Sequence, residues 1–498
     1  MTDRPMRPYQ AKAIADLRDA LRSGSKRPLL MAPTGAGKSR IAAEIINGAT
    51  AKGKRVTFTV PAISLVDQTA RMFYDEGIRD VGVMQANHVM TDPSKPVQIA
   101  SVQTLRRRAI PPCDLWLIDE AHRLDRGISE LMGEIEWAAT PFIGLSATPW
   151  TKGLGRLYDR LIVATTTAEL IEAGYLSPFR VFAPAHPDLS GVKITAGDYQ
   201  QDQLSEAMRK GALVADIVET WLRLGEGRPT LCFAVDCAHA QAIQRDFEAA
   251  NVACGYQDAR TTPLEREEIR KAFERGDLQV VCNVGTLTTG IDWDVRCIIL
   301  ARPTKSEMLY VQIIGRGLRT AKGKADCLIL DHSDTTLRLG FVTDILHDRL
   351  DAGRMASGNS DEDDVKPRLP KECPSCAFLK PVGVKVCPNC GFETQAQSQV
   401  EVLRGEVVEL TSRRTAKANR ETSWDEKAAF IAGLRRFQIA TGKREGWVAH
   451  NYKDRFGVWP NDPRVAYEPP SAVVPEIVSA WIRHKNIAWA KGNNRAAG

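Results

Sequence analysis

A glycine-rich stretch at residues 32–39, Ala-Pro-Thr-Gly-Ala-Gly-Lys-Ser, narrows the possible folds of this chain. The apolar residues 28–31 precede it, and residues 41–46 that follow have the composition of a helix. This order predicts a buried parallel strand, a tight turn and a helix. Such a turn presents backbone N–H groups and a helix N-terminus to an anion. We therefore predict a phosphate-binding loop in an α/β domain.

The side chains of this loop match the chemistry of bound ATP. Gly35 and Gly37 allow the backbone to curl around a phosphate, and Thr34 directly precedes them in the loop. Lys38 is expected to reach the β- and γ-phosphates, and the Ser39 hydroxyl is expected to bind Mg²⁺. The first position departs from the strict pattern, because it is alanine where glycine is usual.

A second motif, Leu-Ile-Asp-Glu-Ala-His at residues 117–122, supplies the carboxylates that the loop lacks. It ends an apolar run at residues 114–118 that predicts another buried strand. Asp119 is expected to bind Mg²⁺, and Glu120 is placed to orient or deprotonate the attacking water. In this order, the two motifs predict an ATP-hydrolysing enzyme.

Length and composition place the chain among multidomain globular proteins. Its 498 residues are too many for a single hydrophobic core. The composition, with 43% hydrophobic and 26% charged residues, is ordinary for a globular protein. The sequence contains no apolar run of membrane-spanning length and no apolar signal core, so we expect a cytoplasmic protein without a membrane partner. The net charge is +6, and residues 401–498 hold the whole surplus, with 17 Lys and Arg against 11 Asp and Glu. This region is predicted to face a polyanion.

The eleven cysteines fall into two groups. Seven lie scattered in apolar or strand-like segments, where free cysteine behaves as a small hydrophobic residue. The other four, Cys373, Cys376, Cys387 and Cys390, form two Cys-x-x-Cys knuckles separated by ten residues. This spacing predicts a structural zinc ribbon, since four thiolates leave no open position for catalysis.

Alternating apolar runs and helical patterns predict an α/β fold with two consecutive parallel-sheet domains. Expected strands of the first sheet lie at 28–31, 55–60, 97–100, 116–118 and 142–145, and those of the second at 230–234, 279–282, 297–300 and 327–330. The expected organisation is a first ATP-binding domain at 1–165, a linker at 166–206, a second α/β domain at 207–350, an acidic linker at 351–370, the zinc ribbon at 371–393, and a basic, Trp-rich, mostly helical accessory domain at 400–498.

These ordered motifs resemble the superfamily-two helicases and translocases, in particular the branch of restriction-enzyme translocating subunits, DNA-repair helicases and phage helicases. The resemblance spans about residues 5–335 and implies two tandem RecA-like domains. Arg-Pro-Tyr-Gln at 7–10 is similar to an adenine-recognising element, which implies that Gln10 contacts the base. The segments 60–69 and 100–105 are similar to nucleic-acid backbone elements, and Ser-Ala-Thr at 146–148 is similar to the motif that couples hydrolysis to domain movement.

The second domain carries the matching half of the resemblance. Residues 283–292 are similar to the motif in which Gly290 and Asp292 border the nucleotide. Residues 312–319 are similar to the motif that begins at Gln312 and contains Arg316 and Arg319. Two arginines three residues apart are expected on one helix face, from which they can neutralise charge on the γ-phosphate.

The resemblance implies an ATP-dependent DNA helicase or translocase of phage type, acting in replication, recombination or repair with ATP, Mg²⁺ and Zn²⁺. The expected partner is single-stranded, forked or branched DNA, with replication or recombination proteins as further candidates. Two alternatives stay open, namely an ATPase motor subunit of a restriction or defence complex and an RNA helicase.

Overall fold

A computed structural model describes residues 5–85, 88–195, 197–208, 211–288, 292–353, 369–393, 423–444, 446–482 and 485. Residues 1–396 and 397–498 form two compact units. The first unit contains two parallel β-sheets and the cysteine cluster, and the second is helical. The predicted fold class, with two tandem RecA-like sheets, is confirmed.

The first sheet has seven strands, all parallel, in the order β3-β4-β2-β5-β6-β1-β7. These strands are β1 Pro28–Met31, β2 Val56–Val60, β3 Val81–Val83, β4 Val97–Ser101, β5 Leu115–Asp119, β6 Phe142–Ser146 and β7 Arg160–Val163. The associated helices are α1 Pro8–Arg22, α2 Lys38–Thr50, α3 Val66–Asp75, α4 Val102–Leu105, α5 Arg126–Gly133 and α6 Thr167–Glu172. The apolar side chains of β1, β2 and β4 are almost entirely buried, as expected for a sheet covered on both faces.

The second sheet has six parallel strands in the order β12-β13-β11-β14-β15-β8. In chain order the elements after α6 are β8 Phe179–Phe182, β9 Ile194–Thr195, β10 Asp198–Tyr199, α7 Gln201–Met208, α8 Gly211–Leu224, β11 Thr230–Phe233, α9 Cys237–Ala249, β12 Cys254–Gln257, α10 Pro263–Arg275, β13 Val280–Asn283, β14 Cys297–Leu300, α11 Glu307–Gly317, β15 Cys327–Asp331 and α12 Thr335–Leu339. Strands β9 and β10 form a separate antiparallel pair.

All nine predicted strands are present. The interval 166–206, predicted as a linker with room for one strand of its own, contains β8, which pairs in parallel with β15 at the edge of the second sheet. The second sheet therefore takes its first strand from within the predicted linker. The additional strands β3, β7 and β12 are three or four residues long.

The helical unit contains α13 Trp424–Thr441, α14 Gly446–Phe456 and α15 Pro463–Ala466 around a small apolar core. The spacing of Tyr452, Phe456 and Trp459, four and then three residues, predicts that all three face inward from one helix. Tyr452 is buried, whereas the prediction for Trp459 is wrong. Trp459 lies beyond the end of α14, and 43% of its surface is exposed. The basic surplus predicted for 401–498 is weak in this globular part, because residues 423–482 hold eight Lys and Arg against seven Asp and Glu. Trp489 and the acidic run 361–364 lie outside the described residues.

Within the described part of the chain, no helix combines the length and the apolar character needed to cross a bilayer. The longest helix, α13, has 18 residues and includes several charged side chains.

Candidate active site and zinc centre

The glycine-rich loop connects β1 to α2, as the sequence predicts. Gly35 and Gly37 have φ values of 86° and 78°, in the left-handed region that favours glycine. The loop is also packed closely on both sides. A Cβ at Gly35 would lie 2.7 Å from Leu176 Cδ2, and one at Gly37 would lie 2.6 Å from Gln10 Nε2. Both glycines are therefore required by backbone conformation and by space.

Gln10 lies beside the phosphate loop, and its contact with the base stays a prediction. Its side chain is buried, and it is not among the residues that line the cavity described below. Its Oε1 accepts a hydrogen bond from Arg7 N at 3.0 Å, while its Nε2 donates to Ala36 O at 2.9 Å. The amide thus holds the phosphate loop, and Tyr9 Oη donates to the same Ala36 carbonyl at 2.8 Å.

The carboxylates of the second motif lie at the carboxyl end of β5, facing the loop. Lys38 Nζ is 3.4 Å from Glu120 Oε1, and His122 Nδ1 is 3.2 Å from Glu120 Oε2. Glu120 has a φ of 49°, which is unusual for a residue with a side chain. Strain of this kind concentrates at functional sites, and here it directs the carboxylate into the cavity.

Their surroundings move the pKa values of the two carboxylates in opposite directions. Burial raises the pKa of Asp119, although Lys38 opposes this effect. Burial also raises the pKa of Glu120, but Lys38 and His122 outweigh it and hold that pKa well below its usual range. Glu120 is therefore ionised at neutral pH. Two neighbouring carboxyl groups with separated pKa values can take separate chemical roles.

A chain of polar contacts crosses the cavity from the first sheet to the second. Gln312 lies on α11, a helix of the domain that contains the second sheet. Its Nε2 donates to Thr148 Oγ1 at 3.2 Å. The same Nε2 is 3.5 Å from His122 Nε2, while His122 Nδ1 is 3.0 Å from Ser146 Oγ. Because His122 also contacts Glu120, a continuous chain of contacts joins α11 to the Glu120 carboxylate.

Arg316 and Arg319 both line the cavity, but different contacts hold their side chains. Arg316 lies in the last helical turn, is 7% exposed, and donates from Nε to Thr288 O at 2.9 Å. Arg319 lies beyond the helix end and forms an ion pair with Asp292 at 2.5 Å. The expectation that both arginines lie on one helix face is therefore wrong. Arg319 reaches the cavity through a β-bridge to Leu176 instead.

Burial, reinforced by the neighbouring charge of Arg319, lowers the pKa of Arg316 to about 9. The guanidinium still carries its charge at neutral pH. A buried cation of this kind is stabilised by an incoming anion, which a triphosphate would supply.

Gly315 is a site residue whose function the sequence motif did not reveal. A Cβ at this position would lie 2.7 Å from Cβ of Thr34 in the phosphate loop. Only glycine permits α11 to approach the loop this closely, so it sets the distance between Arg316 and the phosphate side of the cavity.

A cavity of about 610 Å³ lies between the two sheets. The predicted site residues that line it are Thr34, Gly35, Gly37, Lys38, Ser39, Asp119, Glu120, Asp292, Gln312, Arg316 and Arg319. Gly290 lies outside the described residues. Arg7, which belongs to the segment that resembles an adenine-recognising element, also lines the cavity, as does Tyr175, for which the sequence made no prediction. A volume of this size accommodates a nucleotide.

Ser39 and Asp119 offer the oxygen ligands that Mg²⁺ prefers, a hydroxyl and a carboxylate, on the same wall of the cavity. A divalent cation would also offset the cost of burying the Asp119 carboxylate, which is expressed in its raised pKa. The donor set therefore fits the predicted magnesium site.

The four ribbon cysteines converge, with all four Sγ atoms within 4.8 Å of one another. The Sγ atoms of Cys373 and Cys390 are 3.7 Å apart, as are those of Cys376 and Cys387. A tetrahedral zinc with Zn–S bonds of about 2.3 Å requires sulfur atoms roughly 3.8 Å apart, whereas a disulfide requires about 2.05 Å. The cluster is therefore compatible with a Cys₄ zinc site.

The two knuckles share the same local geometry. The residue after each second cysteine has a positive φ, 57° at Ala377 and 73° at Gly391. Ala377 N donates to Cys373 O, and Gly391 N donates to Cys387 O, each at 2.9 Å. These turns point two thiols of each knuckle toward a common centre, as a metal requires.

The ribbon is joined to the second sheet. Ala183 N donates to Ala377 O at 2.9 Å, and the rings of Phe182 and Phe378 pack edge to face at 5.4 Å. Since Phe182 ends β8, the edge strand of the sheet continues directly into the ribbon contact.

We expect the purified chain to contain about one zinc per molecule and Cys387→Ser to lose it, because three thiolates bind zinc far more weakly than four. Loss of zinc should expose the amide of Ala183 to hydrogen exchange while the amides of β11 remain protected. Metal analysis together with hydrogen-exchange mass spectrometry measures both effects. Cys237→Ser, at an exposed cysteine at the start of α9, is the matched control. Equal zinc contents in the two variants would contradict the site.

Two known protein families match parts of this chain and define its class of protein. Residues 3–151 match the family described as "Type III restriction enzyme, res subunit", and residues 212–321 match "Helicase conserved C-terminal domain". Together these regions make up more than half of the chain. Each contains one wall of the cavity, so the class is that of ATP-hydrolysing, nucleic-acid-dependent motor enzymes.

Individual proteins show the same relationship. The chain is 28% identical to a "51.5 kDa protein" of a Lactococcus phage, over 78% of this chain and 83% of that protein. It is 30% identical to the "Putative ATP-dependent helicase IRC3" of Saccharomyces cerevisiae, over 66% of this chain but 51% of that protein. The solved structure "ATP-dependent Type ISP restriction-modification enzyme LlaBIII bound to DNA" shares the fold, with a TM-score of 0.50 and 18% identity over 66% of this chain and 27% of that one. This chain belongs to the superfamily-two helicases.

Proposed function

We propose that this protein is an ATP-dependent DNA helicase or translocase that remodels duplex, forked or branched DNA. The observation that carries the proposal is the cavity between the two sheets. Lys38 and Glu120 stand on one wall, and Arg316 and Gln312 stand on the other. A γ-phosphate bound there would contact both domains, so its presence favours their closure and its loss allows them to separate.

In the proposed hydrolysis step, water attacks the γ-phosphorus while the bond to the β-phosphate oxygen breaks, giving ADP and phosphate. Glu120 orients this water and accepts a hydrogen bond from it, and Lys38 neutralises the phosphate oxygens. Arg316 stabilises charge that develops on the transferred group. Mg²⁺, held by Ser39 and Asp119, would supply further charge neutralisation.

The proposed DNA path uses backbone-binding elements at the carboxyl ends of β2 and β4. Gln103 Nε2 donates to Pro61 O at 3.2 Å, which joins the two elements that resemble nucleic-acid contacts. Contacts of this type engage phosphates and are largely independent of base sequence. The restriction-subunit family match favours DNA over RNA as the substrate.

A second candidate function is an ATPase motor that translocates on duplex DNA inside a restriction or defence assembly. The match to a restriction-enzyme subunit supports it. Strand displacement by the purified chain distinguishes the two functions, because a motor that only translocates does not separate strands.

We expect the purified chain to hydrolyse ATP faster when DNA is added and to displace the labelled strand of a forked DNA only when ATP is present. Parallel reactions with forked RNA and with a triplex-displacement substrate test the alternatives, since triplex displacement reports translocation without unwinding. Lys38→Ala is the inactive control for every substrate. Triplex displacement without fork unwinding would assign the translocating motor, and activity confined to RNA would overturn the choice of DNA.

A further inference from the structure

Residues 341–353 leave the second sheet domain and cross to the first. At the start of this segment, the ring of Phe341 packs 6.0 Å from the ring of Phe179 in β8. Near its end, Asp351 O accepts a hydrogen bond at 2.7 Å from Gly155 N, in the turn before β7 of the first sheet. The chain therefore passes between the two domains a second time, in addition to the connection between β7 and β8.

Arg156 fastens the end of this segment to the first domain. Its Nε donates to Ala352 O and its Nη2 donates to Gly353 O, each at 2.8 Å. Gly153 N adds a hydrogen bond to the Asp351 carboxylate at 3.3 Å. A guanidinium that reaches two successive carbonyls fixes both the position and the direction of the chain that it holds.

Glycines on both sides of this contact let the two backbones come close together. A Cβ at Gly155 would lie 3.1 Å from the carbonyl oxygens of Leu350 and Asp351. Gly353 has a φ of 67°, and a Cβ there would lie 3.0 Å from Gly153 Cα. Backbone approach of this kind requires residues without a side chain, so the contact depends on the residue types present in both segments.

His347 contacts both domains on the way to this anchor. Its ring packs against Trp150, with the ring centres 4.6 Å apart. Trp150 follows closely after Thr148, which accepts the hydrogen bond from Gln312. His347 Nε2 is also 2.7 Å from Glu307 Oε2, at the start of the helix that carries Gln312. His347 therefore joins the same two elements that meet in the hydrogen bond between Gln312 and Thr148.

We propose that residues 347–353 are a clasp, anchored by Arg156, that holds the two sheet domains together and so prepares the cavity between them for ATP. This inference rests on the proposed ATP site and goes beyond it, because it assigns a role to residues outside the cavity wall. Contacts within one chain act at a high effective concentration, so the clasp raises the fraction of molecules in which the two walls are already close. ATP contacts both walls and binds most tightly to this closed form, so its apparent affinity rises with that fraction. Bound ATP bridges the walls itself, so the clasp contributes little once the site is filled.

Arg156→Ala removes both anchoring hydrogen bonds and tests the clasp directly. We expect it to raise the KM for ATP about ten-fold, because both lost bonds come from a charged donor. At saturating ATP, kcat should stay within about two-fold of the parent. Without nucleotide, energy transfer between fluorophores on the two sheet domains should fall, and saturating ATP should restore it. Arg156→Lys keeps a cation that can donate to the same carbonyls, and it should recover part of the parental KM.

Arg126→Ala is the matched control, since Arg126 is an exposed arginine of the same domain that pairs with Glu130, and it should retain the parental KM and energy transfer. His347→Ala breaks the clasp at a different point and should reproduce both effects even if Arg156→Ala fails to fold. A parental KM or a parental energy transfer in both clasp variants overturns the clasp, as does a loss of kcat at saturating ATP with an unchanged KM. A parent that hydrolyses no ATP overturns the proposed function instead, whereas the energy transfer measured without nucleotide still tests the clasp.

Discussion

Glu120→Gln is expected to lower kcat for ATP hydrolysis by about 10³-fold while leaving the affinity for ATP within a few-fold of the parent. Glutamine has nearly the same shape but loses the negative charge that attracts and aligns water. The lowered pKa of Glu120 makes it a weak proton acceptor, which favours orientation of the water over early removal of its proton. Lys38→Ala, in contrast, should weaken ATP binding as well as turnover.

Single-turnover hydrolysis and equilibrium binding of ATP measure the two effects separately. The matched control is Glu130→Gln, which removes the same charge from an exposed i,i+4 ion pair with Arg126 in the same sheet domain. That variant should retain parental kcat. If Glu120→Gln turns over ATP as fast as Glu130→Gln does, Glu120 does not orient the water.

Much of the fold could be predicted because its signals are local. The buried parallel strands β1, β2 and β5 are continuous apolar runs, and the two motifs directly follow β1 and overlap the end of β5. Once the strands are parallel, their carboxyl ends must share one edge of the sheet. This geometry alone brings Lys38 and Glu120 to the same edge of the sheet, without any knowledge of side-chain contacts.

The rest of the site depends on contacts between segments far apart in sequence. Gln10 carries the motif of a base-contacting residue, yet the nearness of Ala36 directs its amide to the loop. Arg319 was assigned to a helix face, but α11 ends two residues earlier and Leu176 fixes its position. Tyr175 also lines the cavity, and no periodic or motif signal in the sequence marks it.

Gly315 belongs to a motif that is visible in the sequence, but its packing role is visible only in the structure. In the sequence it is one of two glycines flanking Arg316, and either could serve helix packing. In the structure, Gly315 faces Thr34 of the other sheet, whereas Gly317 packs against Ile298 and Cys327 of its own sheet. Only the contact across the cavity makes Gly315 a determinant of the catalytic geometry.

Arg316→Ala is expected to lower kcat by about 10³-fold or more, with a smaller effect on ATP affinity. Its guanidinium is buried at the cavity, and its Nε donates to Thr288 O, which fixes the plane of the charged group beside the phosphate loop. Arg316→Lys should not restore turnover, because an ammonium cannot keep the Thr288 contact and also reach the phosphate in the same planar geometry. Arg296→Ala, which removes an arginine paired with Asp294 in the same domain but away from the cavity, is the matched control.

The double variant Glu120→Gln/Arg316→Ala tests whether the two walls act on one transition state. If Arg316 stabilises charge that appears only as the water oriented by Glu120 attacks, the second substitution should cost much less than the first, and the two losses should not multiply. Fully multiplicative losses would mean that the arginine acts at another step, such as domain closure after ATP binding. In that case Arg316→Ala should also slow closure itself, observed as a change in energy transfer between fluorophores placed on the two sheet domains. Unchanged closure together with non-multiplicative losses would place Arg316 in the hydrolysis step.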